Sequence, residues 1–111
     1  MEAFIRYLDA RAKEGREEAA RLSAEGRGDD AVFEKVRVNI YEVCRSVANT
    51  LYDRPGAGPD AVRAQFGRLG SAWSAALGKA REHGDTAAAA IEETKLAALE
   101  DVTAHFPEAK P

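Results

Sequence analysis

Cys44, His83 and His105 are the side chains most able to do chemistry, and their neighbours argue against its being done. A nucleophilic cysteine needs a base beside it. Cys44 has no nearby histidine in the sequence and falls on an apolar helical face, where a thiol packs as a small hydrophobe. Metal sites in helical carboxylate bundles use Glu-x-x-His on two helices, and neither histidine has a glutamate three positions before it. Asp101 and His105, four residues apart, are the nearest approach to a ligand pair. A histidine near a helix C-terminus is more simply there to meet the helix dipole. His83 falls in a turn. The Gly-rich stretch Pro55–Pro59 lacks the lysine and hydroxyl of a phosphate cradle. The residues give no catalytic constellation, no cofactor and no metal site, and a non-enzymatic protein is expected.

Two cations stand out by position. On helical wheels Arg37 falls beside Phe33 and Cys44, and Lys95 falls within the Ile91–Val102 apolar stripe. Each follows a glutamate by three residues, Glu34 and Glu92. One reading has both side chains cover core with their methylenes and carry the charge outward to that glutamate. The other joins them with Phe66 and Trp73 in an interhelical pocket for an anion or small molecule.

A stripe of small residues, Gly67, Ser71, Ser74 and Gly78, recurs at four-, three- and four-residue steps, with Gly70 beside it. Each interior glycine costs a helix about 1 kcal/mol against alanine, so close approach of another helix is expected. The Ala-rich fourth segment, with Ala87–Ala90, Ala97 and Ala98, would serve within the chain. A second subunit would serve if the stripe faces outward. Tyr41 and Tyr52, eleven residues apart on one edge of the second segment, either flank the first helix or form an exposed strip for a partner. Trp73 lies on the core seam of its segment and reads as a packing anchor.

The elements that position these residues are helices. Punctuation falls at Gly26-Arg27-Gly28-Asp29, at Pro55 to Asp60 and at His83-Gly84-Asp85. Each combines glycine, which ends a helix, with aspartate, which caps the next; Pro59 suits a first helical turn. Helices are expected at about 2–25, 29–54, 59–82 and 85–106. Short connections make neighbours antiparallel, so the expected fold is an all-α, up-down-up-down four-helix bundle, one domain over residues 1–111. Phe33, Val36, Ile40, Val43, Val47 and Leu51 form the clearest seam, widened by Tyr41, Cys44 and Ala48. Val62, Phe66, Leu69, Trp73, Leu77 and Ala80 form the next. Ala88, Ile91, Ala98, Val102 and Phe106 form the last. In the first segment Phe4, Ile5, Leu8 and Leu22 anchor the ends, and Gly15 in a charged middle predicts fraying or a bend.

The second and fourth segments share a pattern. A Gly-Asp turn leads to Phe33-Glu34, Arg37 and Tyr41 in one, and to Ile91-Glu92, Lys95 and Leu99 in the other. This hints at two similar hairpins, though helical hairpins readily resemble one another. The run Glu25 to Arg37, the pair Ala72-Trp73 and the segment His83 to Leu96 resemble small all-helical bacterial proteins known only as hypothetical. That resemblance implies an all-helical fold and carries no activity, cofactor or site.

Composition excludes several partners. With 16 Lys and Arg against 19 Asp and Glu, the net charge is -3, with the signs interspersed and no basic cluster for nucleic acid. No run approaches the ~18 apolar residues of a membrane span. A single cysteine gives no internal disulfide, and the start of the chain has no signal-peptide core. A cytoplasmic protein is expected, whose product is a binding surface: an interaction or self-associating module, possibly a homodimer, or alternatively a ligand binder.

Overall fold

The first helix buries one residue per turn along its whole length. Phe4, Leu8, Ala12, Gly15, Ala19 and Leu22 are its buried positions, and α1 runs unbroken over Glu2–Ala24. The expected fraying at Gly15 does not occur. A Cβ built there would sit 2.5 Å from Val38 Cγ2, so this glycine is the place where α1 lies down on the next helix. Its propensity cost is offset by packing that any side chain would prevent.

The structure, a computed structural model, describes residues 1–107; the last four positions of the expected 1–111 span lie outside the described residues. Three further helices follow, α2 Gly28–Leu51, α3 Pro59–Glu82 and α4 Thr86–His105, and there is no strand among the described residues. The bundle is 20 Å thick in its shortest dimension, about two helix diameters. Helix α2 is central and packs on α1, α4 and α3, while α3 also packs on α4.

That centrality shifts the α2 seam. Its buried positions are Ala31, Val38, Ile40, Tyr41, Cys44 and Ala48, while Phe33, Val36, Val43, Val47 and Leu51 are only half-buried. The small residues Cys44 and Ala48 mark the face's centre, fully buried, because a helix with three neighbours is approached most closely where its side chains are shortest.

The turns follow the sequence closely, but of the three aspartates expected to cap a helix only Asp85 does so; Asp60 lies in the first turn of α3, whose N-cap is Gly58. Gly26 and Gly84 take φ of 76° and 66°, the left-handed conformation that closes a helix. Asp85 caps α4 through its side chain, accepting from the Ala88 amide at 3.0 Å. Asp29 does not cap α2, which starts a residue earlier at Gly28; Asp29 and Asp30 lie in its first turn, where negative charge suits the dipole.

The expected resemblance between hairpins extends through the core of both. Gly84 follows Gly26 by 58 positions, and the two turns bond alike. The Arg27 amide donates to Leu22 and the Asp85 amide to Ala80, each at 2.8 Å; the Gly26 amide donates to Ser23 and the Gly84 amide to Arg81, each at 3.1 Å. Every buried residue of α3 and α4 has a buried counterpart 58 positions earlier. Val62 and Phe66 match Phe4 and Leu8, Leu77 and Ala80 match Ala19 and Leu22, and Ala98, Leu99 and Val102 match Ile40, Tyr41 and Cys44. The molecule is a hairpin repeated. Both halves share one large core at the end holding Phe4 and Phe106. At the other end Ala19, Leu22 and Ala31 cluster within the first hairpin, and Leu77, Ala80 and Ala89 within the second.

Candidate functional site

Because the two hairpins repeat, each supplies a control for the other. Counterparts that differ at equal burial point to something other than the fold. Two such differences are large, one inside the molecule and one outside.

The inner difference is a polar cluster where α1, α2 and α4 meet. Asp101 accepts from the Tyr7 hydroxyl at 2.7 and 2.9 Å and from the Tyr41 hydroxyl at 2.6 Å, and Arg11 Nε lies 3.5 Å away. His105 stacks on the Tyr7 ring, 3.9 Å between centroids. Burial works against the Asp101 charge, but the Tyr41 and Tyr7 hydroxyls and the Arg11 cation outweigh it and hold the carboxyl below its ordinary range. Burial, then the bond to Asp101, pushes the Tyr7 hydroxyl up to about 12, so both partners stay in the states that make the bond. The counterparts 58 positions away are Gln65, Leu69, Leu99, Val43 and Val47. There the contact is largely apolar, and α3 packs on α2 more closely than α1 does on α4. Away from the cluster, toward the Gly26 turn, a cleft of about 560 Å³ lies between the first hairpin and α4.

The outer difference lies on α3. Gly67, Ser71, Ser74 and Gly78 are all exposed, and nothing stands within 4 Å of a Cβ built at Gly67 or Gly78. Of the two readings of this stripe, packing under α4 is therefore the wrong one. Only the neighbouring Gly70 meets that helix, 3.2 Å from Leu99 Cδ2. The counterparts on α1 are Asp9, Lys13, Arg16 and Ala20, equally exposed, the first three of them charged. Asp9 reaches across to Arg45 on α2 at 2.6 Å, and Arg16 to Glu42 at 3.5 Å, bridging the middle of the valley between the two helices and leaving grooves of about 460 and 320 Å³ toward its ends. In the second hairpin those pairs are replaced by Gly67 with Thr103 and Ser74 with Glu100. The valley between α3 and α4 stays open, a groove of about 430 Å³ floored by Phe66, Leu96, Leu99 and Phe106.

The other candidate residues fall in separate places. Arg37 bonds Glu34 at 2.6 Å and lines the cleft beside α4. Lys95 bonds Glu92 at 3.1 Å and lies over the Trp73 ring, 5.9 Å from its centre. Phe66 floors the α3–α4 groove. Four residues expected to share one pocket thus serve three surfaces, because Arg37 and Lys95 are counterparts in the two hairpins and so face opposite flanks of the molecule. Tyr41 is no surface strip: it is 3% exposed, drawn inward by Asp101 and Arg11. Tyr52 is half-buried against Phe106, rings edge to face at 6.4 Å. Cys44 is fully buried, and burial pushes its thiol up to about 12, a value at which it is no nucleophile. Among the described residues no group of three or more His, Cys, Asp or Glu is placed to hold a metal, and no helix is long and apolar enough to cross a membrane.

Sequence reasoning found the stripe but missed Tyr7, Arg11 and Asp101 as a cluster. Tyr7 and Asp101 are 94 positions apart, and no local spacing marks such a pair. No protein-family model, no curated protein and no solved structure matches the chain.

Proposed function

We propose that the chain is a non-enzymatic helical module that associates with itself through the outer face of α3 and the groove beside it. One observation carries this reading. Where α1 presents Asp9, Lys13 and Arg16 to solvent, the equivalent turns of α3 present Gly67, Ser71 and Ser74. Charged side chains are the ordinary surface of a helix, and interior glycines cost it about 1 kcal/mol each. Gly70 has its reason in Leu99; Gly67 and Gly78 have none within the monomer. Removing side chains from an exposed helix face lets another helix come close, and the open apolar groove supplies surface to bury.

The alternative, a small molecule or anion held between helices, has less behind it. The cleft beside Arg37 is large enough for a ligand, but Arg37 and Arg27 are already paired with Glu34 and Asp30. An anion would have to displace those carboxylates.

The test transfers one hairpin's surface to the other. Gly67→Asp, Ser71→Lys, Ser74→Arg and Thr103→Arg together give α3 and α4 the outer charges of α1 and α2. In sedimentation equilibrium the native chain is expected to self-associate and the fourfold variant to remain monomeric, with helical content and melting cooperativity unchanged. A native chain that stays monomeric, or a variant that associates as strongly, contradicts the reading.

A further inference from the structure

Two hairpins built on one pattern can pair in more than one way. Every buried position of the second corresponds to a buried position of the first, so apolar packing gives a hairpin little reason to prefer its neighbour over a copy of itself. A single carboxylate separates the choices. Among the described residues, every side-chain hydrogen bond that crosses between the hairpins ends on Asp101, from the Tyr7 and Tyr41 hydroxyls. The one ion pair that crosses, from Arg11 at 3.5 Å, ends there too. We infer that Asp101 is a pairing residue: it makes the first hairpin close on the second, and bars either hairpin from pairing with its own kind in another chain. The inference is independent of the association surface proposed for α3.

The excluded pairings follow from the repeat. The counterpart of Asp101 is Val43, and those of Tyr7, Arg11 and Tyr41 are Gln65, Leu69 and Leu99. Two first hairpins, packed as the first now packs on the second, set Tyr7, Arg11 and Tyr41 of each copy against Val43 of the other. The Tyr41 hydroxyl, on a residue 3% exposed, then has no carboxylate to donate to. Two second hairpins set each Asp101 against Leu69 and Leu99, with the Gln65 amide in place of two hydroxyls and a cation. A buried hydroxyl without its acceptor and a carboxylate without its donors both cost free energy that the unlike pair does not.

Packing discriminates less sharply. Phe4 meets Phe106 edge to face at 5.0 Å, where the counterparts are Val62 and Ala48. Cores tolerate such changes of volume more readily than an unmatched charge. The short connection between Leu51 and Pro59 also favours closure within a chain, by proximity. Asp101 acts when chains meet before they close.

The test moves the carboxylate from one hairpin to the other. In the double variant Val43→Asp, Asp101→Val, the first hairpin carries both the acceptor and its donors. Two first hairpins then satisfy each other twice, and the unlike pair leaves the new carboxylate without them. Chains are refolded from urea at high concentration, mixed with isotope-labelled chains refolded apart, and read by native mass spectrometry. Association through folded surfaces exchanges subunits on mixing, whereas paired hairpins exchange only on unfolding. The double variant is expected mainly as a dimer that does not exchange. The native chain is expected to give no such dimer, and neither is Leu8→Ala, which weakens the core and leaves the cluster whole. A double variant that folds as a monomer overturns the inference, as does a non-exchanging dimer of the native chain or of Leu8→Ala. If the double variant does not fold, Asp101→Val alone decides, because it makes like and unlike pairs equal. A non-exchanging dimer whose yield rises with refolding concentration then supports the assignment, and monomer at every concentration overturns it. A native chain that never associates contradicts the α3 surface and leaves the pairing role of Asp101 standing.

Discussion

Asp9 and Arg45 bridge the middle of the valley between the helices of the first hairpin with an ion pair. Fifty-eight positions further on, Gly67 and Thr103 leave the same valley open to solvent. Beneath each valley lies a buried side chain, Leu8 under one and Phe66 under the other, 1% and 2% exposed, although α1 lies closer on α2 than α3 does on α4. Every position buried in the second hairpin's helices is buried in the first, which buries Ala12, Gly15 and Val38 besides, and the two differ further in what they show. The difference is not one of stability, because an exposed ion pair contributes at most about 1 kcal/mol. It lies in what can approach. A charged outer face keeps other helices at a distance; one stripped to Gly and Ser admits them.

The interior repeats this lesson in reverse. Asp101, Tyr7, Tyr41 and Arg11 occupy positions that are Val43, Gln65, Leu99 and Leu69 in the other half. The polar set gains directional bonds and loses close packing, so one flank of the molecule is held by a few specific contacts and the other by area.

The comparison is broken most severely at its common core. Leu8→Ala and Phe66→Ala delete counterparts from the two hairpins, and each is expected to cost about 3–5 kcal/mol in urea unfolding, with a single transition in both cases. A cost confined to one of them would mean that the halves are not equivalent inside.

Glycine substitutions sharpen the contrast between inner and outer roles. Gly15→Ala drives a methyl into Val38, whose branched side chain cannot swing away, and is expected to destabilise by about 1–3 kcal/mol. Gly78→Ala meets nothing and is expected to stabilise the monomer by about 0.5–1 kcal/mol in dilute thermal melts. Equal effects at the two sites would remove the distinction.

Acid separates the two flanks more gently. Asp101 is held below its ordinary range in the folded chain, so its contribution is present above the unfolded carboxyl value of about 3.9 and is lost as pH falls through the folded value. Asp101→Asn, which keeps the shape and removes the titration, is expected to flatten this part of the acid limb of a stability–pH curve. An unchanged limb in the variant would show that the carboxylate's bonds contribute no pH dependence.

Much of the fold was legible along the chain. Gly26, Gly84 and Pro59 act within one turn of themselves, so composition alone placed the helix ends to within a few residues. The α3 seam was read correctly for Val62, Phe66, Leu77 and Ala80, because that helix buries one ordinary stripe. The α2 seam was read off-centre because a helix with three neighbours buries small residues that carry little periodic signal. Gly15 was misread for a related reason: propensity marks it as weak, and only the position of Val38 shows why it is needed. The stripe on α3 was visible, but its direction was not, since alanines on α4 made an internal partner equally natural. The polar cluster was invisible, being assembled from three helices.

The central claim, that equivalent helices carry different outer roles, is tested most directly by amide hydrogen exchange at two protein concentrations. Association slows the local openings of the helix it covers. Raising the concentration is expected to increase protection across residues 67–78 of α3 and to leave residues 9–20 of α1 unchanged. Equal protection of both helices, or a change confined to α1, would contradict the account.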